Sequence, residues 1–146
     1  MPGADIRRCH RLTLGAALLL AGCAPKPSAP VRPVTQTVGG LTIQMTTIPA
    51  QATTPAPPHS GDNTLSLTLT DAATGAPVGD ANVTVTPNML APREQGATNS
   101  GRAQGNGVYQ VPLRLPIATK YDVEVQIERR GGLPPVTVSF PLEATH

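Results

Sequence analysis

A chain of 146 residues has room for one modest domain, and with two tyrosines, one phenylalanine and no tryptophan its core must be aliphatic. The formal charge of +2 comes wholly from the start: Arg7, Arg8 and Arg11 outweigh Asp5, and beyond residue 22 eight basic residues face eight acidic ones. A neutral body has no electrostatic footprint for nucleic acid, which excludes that class of partner.

Leu12 to Leu20 is an apolar run well short of the roughly 20 residues a spanning helix needs. Arginines precede it, small residues Ala21 and Gly22 follow, and Leu20-Ala21-Gly22-Cys23 closes the pattern on a cysteine. A positive start, a short apolar core and small residues before a cysteine have the layout of a bacterial lipoprotein signal. The expectation is that residues 1–22 are removed and that Cys23 carries lipid. The chain would then be membrane-anchored in the cell envelope, outside the cytoplasm, facing the periplasm or the surface. Loss of Cys9 and lipidation of Cys23 leave no thiol for disulfide or nucleophilic chemistry. Residues 23–37 read as a tether, because the proline density from Ala24 to Val34 favours an extended, semi-rigid spacer at about 3.1 Å per residue.

From residue 38 to 146 the pattern is that of strands. Leu41, Ile43 and Met45 alternate with polar residues, and so do Leu65, Leu67 and Leu69 after a proline-rich stretch from Pro49 to Asp62. Asp71 to Gly75 reads as a turn, and Val83 and Val85 carry a short strand. Tyr109, Val111, Leu113 and Leu115 form another, with Pro112 and Pro116 pointing to a sheet edge. Tyr121, Val123, Val125 and Ile127 oppose the polar row Asp122, Glu124, Gln126 and Glu128; Arg130-Gly131-Gly132 turns the chain, and Val136, Val138, Phe140 and Leu142 finish it. Period-two alternation means one buried and one wet face. The reading is an all-β, immunoglobulin-like antiparallel β-sandwich of six to seven strands. Pro87 to Asn106 has no periodicity and is expected to be a long loop, a length that is uncommon unless functional or disordered.

The stretch Gly61 to Ile127 resembles the YtkA-like domain family, to which FixH-like proteins are related. The resemblance is carried by Gly61-Asp62-Asn63-Thr64-Leu65, by Leu69 to Val78 with Gly75-Ala76-Pro77-Val78, by Asp80-Ala81-Asn82-Val83-Thr84-Val85, by Gly107-Val108-Tyr109 and by Tyr121-Asp122-Val123-Glu124-Val125. It implies an extracytoplasmic β-sandwich, in a family several of whose members are associated with copper handling or respiratory-oxidase maturation. It also implies a methionine- and histidine-rich segment after the strand of Val83 and Val85. Here that place reads Pro87-Asn88-Met89-Leu90, with Met89 its one soft donor, and Tyr121 stands where the family has tryptophan. Thioether and imidazole suit Cu(I), so Met89 and His59 are the metal candidates, and copper is the metal the resemblance allows. Met45 belongs to the Leu41–Ile43 face and reads as core, while His59 in the proline-rich stretch and His146 at the end read as solvated.

The residues show no Ser/His/Asp or cysteine constellation and no phosphate-binding glycine loop, so the expectation is a non-enzymatic protein. Two readings stay open. One is an accessory or binding module in copper handling or oxidase maturation, acting by contacts with another envelope protein. The other is a structural or adhesion-like module without a metal role. The second takes the segment from Pro87 to Asn106 as its contact surface, and Arg93, Glu94 and Arg102 are the candidate contact residues.

Overall fold

The computed structural model describes residues 31–146. Cys23, the signal segment and most of the proline-rich tether fall outside the described residues, and among those described no helix is long and apolar enough to cross a membrane.

Ten strands form two antiparallel sheets. The first holds β1 (Val34–Val38), β2 (Leu41–Pro49), β3 (Gly61–Asp71), β8 (Val108–Leu115) and β7 (Arg102–Gly105), in that spatial order. The second holds β10 (Val136–Glu143), β9 (Lys120–Arg129), β4 (Ala81–Leu90) and β5 (Arg93–Gln95), with β6 (Asn99–Ser100) also on β4. This is the expected sandwich: six of its seven longer strands are those the alternation marked, and β1 is the seventh. β1 takes in Val34 to Thr37, so the last residues read as tether belong to the first sheet, where they pair with Met45 to Thr42.

The alternating residues build the core. Leu65, Leu67 and Leu69 of β3 are fully buried, as are Val123, Val125 and Ile127 of β9, and the register sets Leu67 between Met45 and Tyr109. Met45 is a core residue, only 4% exposed. Each fully buried Leu, Val or Phe side chain contributes about 1.5–3 kcal/mol by leaving water. β8 is not an edge strand along its whole length, because β7 pairs with Val108 to Gln110. Pro112 lies past the end of β7, where β8 has no second neighbour and a missing N–H costs no ladder bond.

Two buried tyrosines close opposite ends of the sandwich. At the first end the Tyr109 hydroxyl donates to the Val78 carbonyl (2.9 Å) and accepts from the Ala81 amide (3.1 Å). At the second end the Tyr121 hydroxyl donates to the Ile117 carbonyl (2.9 Å) and accepts from the Ile117 amide (3.3 Å). The first end also carries the expected turn at Asp71. Its carboxylate accepts from the amides of Ala73 and Thr74 and from the Thr74 hydroxyl, while Gly75 takes the positive φ the turn requires. Those donors, the Thr74 amide foremost and the Ala73 amide next, hold the Asp71 carboxyl below its ordinary value.

Pro87 to Asn106 is not a loop. β4 runs on to Leu90, turns at Ala91-Pro92, and returns as β5 and β6 along its own edge. At Gly101, whose amide donates to the Val83 carbonyl (2.7 Å), the chain steps across to the first sheet and becomes β7. The segment therefore wraps one open side of the sandwich. On the other side the Gln36 side-chain amide of β1 donates to the Ser139 carbonyl of β10 (2.6 Å). Capping the edges in this way removes unpaired backbone that invites sheet-to-sheet association.

Candidate functional site

The long β4 strand defines the most distinctive corner of the molecule. A strand with one wet face buries every second residue, yet β4 buries Val85, Thr86 and Pro87 in succession. The cause is the returning segment, which covers the outward face at this point. Thr86 and Thr98 share a hydroxyl–hydroxyl hydrogen bond of 2.7 Å, and the Gly96 amide donates to the Pro87 carbonyl, also at 2.7 Å. The edge ladder breaks beside Pro87, between the end of β5 at Gln95 and the start of β6 at Asn99. Gly96 fills the gap because nothing larger fits: a Cβ there would lie 2.7 Å from both the Pro87 ring and its carbonyl oxygen.

The result is a small cleft of about 130 Å³, lined on its apolar side by Pro87, Met89, Gly96, Ala97, Pro116 and Tyr121. Glu94 and Arg114 stand among its polar lining. An apolar cavity of about 150 Å³ holds a benzene-sized molecule, so this cleft takes one side chain of a partner rather than a free cofactor. Met89 is 7% exposed and pairs across the sheet with Tyr121 on one side and Glu94 on the other. Its thioether is packed into the corner, with a soft, deformable surface toward the cleft.

His59 sits at the same end of the sandwich but elsewhere on it. It forms a parallel bridge to Thr145 and lines a separate hollow with Asp62 and His146; neither depression found beside Met89 includes it. The two metal candidates thus share an end without sharing a site. Among the described residues no group of three or more His, Cys, Asp and Glu gathers in a way that could hold a metal ion. His59 and His146 are exposed, as expected, but neither belongs to a free linker or a loose end. Ser60 donates to the Thr145 carbonyl (2.7 Å) and Thr145 to the Pro58 carbonyl (3.0 Å), so the two segments are strapped together.

The three candidate contact residues are also separated. Arg93 and Glu94 lie on β5, opposite Leu90 and Met89, and only Glu94 reaches the cleft. Arg102 lies on β7 in the other sheet, just past the crossing at Gly101, which bonds to Val83. The six residue steps along β4 from Val83 to Met89 put about 20 Å between those levels. All three are exposed, and neither ion pair among the described residues uses them: those are Arg114–Asp62 at 3.4 Å and Arg130–Asp80 at 2.9 Å. Sequence reasoning missed Arg114, Pro116, Gly96 and Ala97 as lining residues. Pro87 and Gly96, nine positions apart, were the one available signal of a close backbone approach.

Fold and corner together define an immunoglobulin-like β-sandwich with a small, mostly apolar cleft at one end. The model of the YtkA-like family matches residues 43–126, more than half of the chain, and the chain belongs to that family. Among solved structures it is similar to a DUF4426 family protein from Pseudomonas aeruginosa, with a TM-score of 0.51 at 18% identity, covering 77% of this chain and 96% of that one. It is also similar to a copper-bound variant of FetP from uropathogenic Escherichia coli, with a TM-score of 0.57 at 12% identity and the same coverage. At these identities the two structures show the shared fold. Among curated proteins none matches the chain.

Proposed function

We propose that this YtkA-like protein is a non-enzymatic, lipid-anchored binding module of the cell envelope, serving copper handling or respiratory-oxidase maturation through contacts with another protein. The observation that carries the reading is the family match over residues 43–126. The fold shared with a structure described as copper-bound FetP points the same way. The corner cleft beside Met89 suits a protein contact, being apolar inside and flanked by Glu94 and Arg114 of opposite charge. An apolar centre with a polar rim is the arrangement in which a single inserted side chain contributes most of an interface's energy. A soft thioether in that centre also suits a partner that carries Cu(I).

The anchoring part of the proposal rests on Leu20-Ala21-Gly22-Cys23. Cys23→Ser is expected to move the protein from the membrane fraction to the soluble extracytoplasmic fraction, and retention in membranes would contradict the anchor. The functional part is tested by deleting the gene in its native organism and measuring copper tolerance and terminal-oxidase activity. One of the two is expected to fall, to recover with the wild-type gene, and to stay low with Met89→Glu expressed at normal level. A deletion strain equal to its parent in both measurements would overturn the reading.

A further inference from the structure

We propose that the partner of the corner cleft binds as an extended strand added to the free edge of β8, with one large apolar side chain seated in the cleft and a lysine or arginine beside it. The inference rests on the reading of that cleft as a protein contact and adds how the contact is made.

The cap on this side of the sandwich is incomplete. β7 pairs only with Val108 to Gln110, and the crossing chain packs on Val111, where a Cβ added to Gly101 would lie 3.1 Å from the valine side chain. Pro112 to Leu115 therefore have β3 on one side and no strand on the other. The ladder fixes which groups are free there. The Leu69 amide donates to the Gly107 carbonyl (2.8 Å), so the odd-numbered residues of β8 aim their peptide groups at β3 and the even-numbered ones aim theirs away. The free groups are the Pro112 carbonyl and the Arg114 amide and carbonyl, and among the described residues nothing bonds to them. In Pro112-Leu113-Arg114-Leu115-Pro116 the two prolines flank the Arg114 amide. They prevent long, indiscriminate pairing along this edge and leave one peptide unit to which a strand can bond on both sides.

An incoming residue opposite Arg114 exchanges both bonds with it and turns its side chain to solvent, as Arg114 does. Its neighbours, opposite Leu113 and Leu115, turn inward, because those two leucines face the core. Inward of this edge lies the cleft of Pro87, Met89, Pro116 and Tyr121, which Arg114 itself borders. Backbone bonds then give position, and a cleft of about 130 Å³ selects a side chain of leucine or phenylalanine size. Charge sets the neighbouring residue. Of the two charges at the rim, Arg114 is met by Asp62 at 3.4 Å, whereas Glu94 is exposed and makes no ion pair among the described residues. The rim therefore favours a cationic partner residue.

The test selects short linear peptides of random sequence from a displayed library on the full chain. Binders are expected to share a large apolar residue close to a lysine or arginine, to slow hydrogen exchange of the Arg114 amide, and to lose affinity for Met89→Glu. Arg114→Ala keeps the amide, and Arg114→Pro removes it without breaking a bond to β3. The proline variant should bind the same peptides about tenfold more weakly than the alanine variant, the size of one net hydrogen bond. Equal urea midpoints will show that both fold; if the proline variant is less stable, exchange of the Arg114 amide in the wild type decides. No enrichment of such peptides, equal affinity of two stable variants, or an Arg114 amide that exchanges as freely in the complex as alone would overturn strand addition. The cellular test of the cleft reads separately. If Met89→Glu lowers copper tolerance or oxidase activity and Arg114→Pro does not, strand addition falls while the protein contact stands.

Discussion

The β9–β10 hairpin and the segment from Pro87 to Gly105 are opposite in character. In the hairpin every second side chain from Tyr121 to Ile127 and from Val136 to Leu142 is buried, with polar residues between. In the segment, β5 and β7 bury nothing, and where it folds back it leaves Val85, Thr86 and Pro87 of β4 buried in a row. The hairpin is a sheet interior with one wet face. The segment is an edge folded back on itself, which covers backbone more than side chains. Their stability comes from different sources: apolar burial in the hairpin, and hydrogen bonds with close backbone approach in the segment.

The sharpest contrast is expected at Phe140. This ring is fully buried between the sheets, and Phe140→Ala should cost about 3–5 kcal/mol in urea unfolding. A cost under about 1 kcal/mol would mean that the hairpin does not carry the core. Next comes Gly96→Ala. The added methyl meets the Pro87 ring and carbonyl, so the return strand must shift, at a cost of about 1–3 kcal/mol. If the segment were an ornament on a self-sufficient sandwich, this substitution would be neutral. The smallest effect is expected at Asp71, outside both regions. Its carboxyl is held below the ordinary value, so its contribution is present above the unfolded-state pKa and is lost as pH falls through the lower folded value. Asp71→Asn should flatten the fall of the urea midpoint below about pH 4, where an unperturbed carboxylate protonates. An unchanged acid profile would show that the turn is not held by the charge.

This contrast also explains what could be read in advance. Leu65, Val125 and Phe140 announce strands because alternation follows whenever one face is buried. β5 and β7, exposed on both faces, have no pattern to show, and Thr86 and Pro87 break the pattern of β4 because Thr98 and Gly96 cover them. The cleft was invisible for the same reason, since Arg114, Pro116, Gly96 and Met89 meet only after the return strand has formed. His59 and His146 were legible as imidazoles but not as neighbours, because 87 positions separate them and only the strap through Thr145 brings them together.

The account depends most on the segment from Pro87 to Gly105 being a built part of the sandwich that shapes the corner cleft. Native-state hydrogen exchange of the Gly96 and Gly101 amides tests this directly. Both donate at 2.7 Å, to the carbonyls of Pro87 and Val83, so they are predicted to exchange orders of magnitude more slowly than an unstructured chain. Exchange of both amides at the unprotected rate, with the β9 amides still protected, would contradict it.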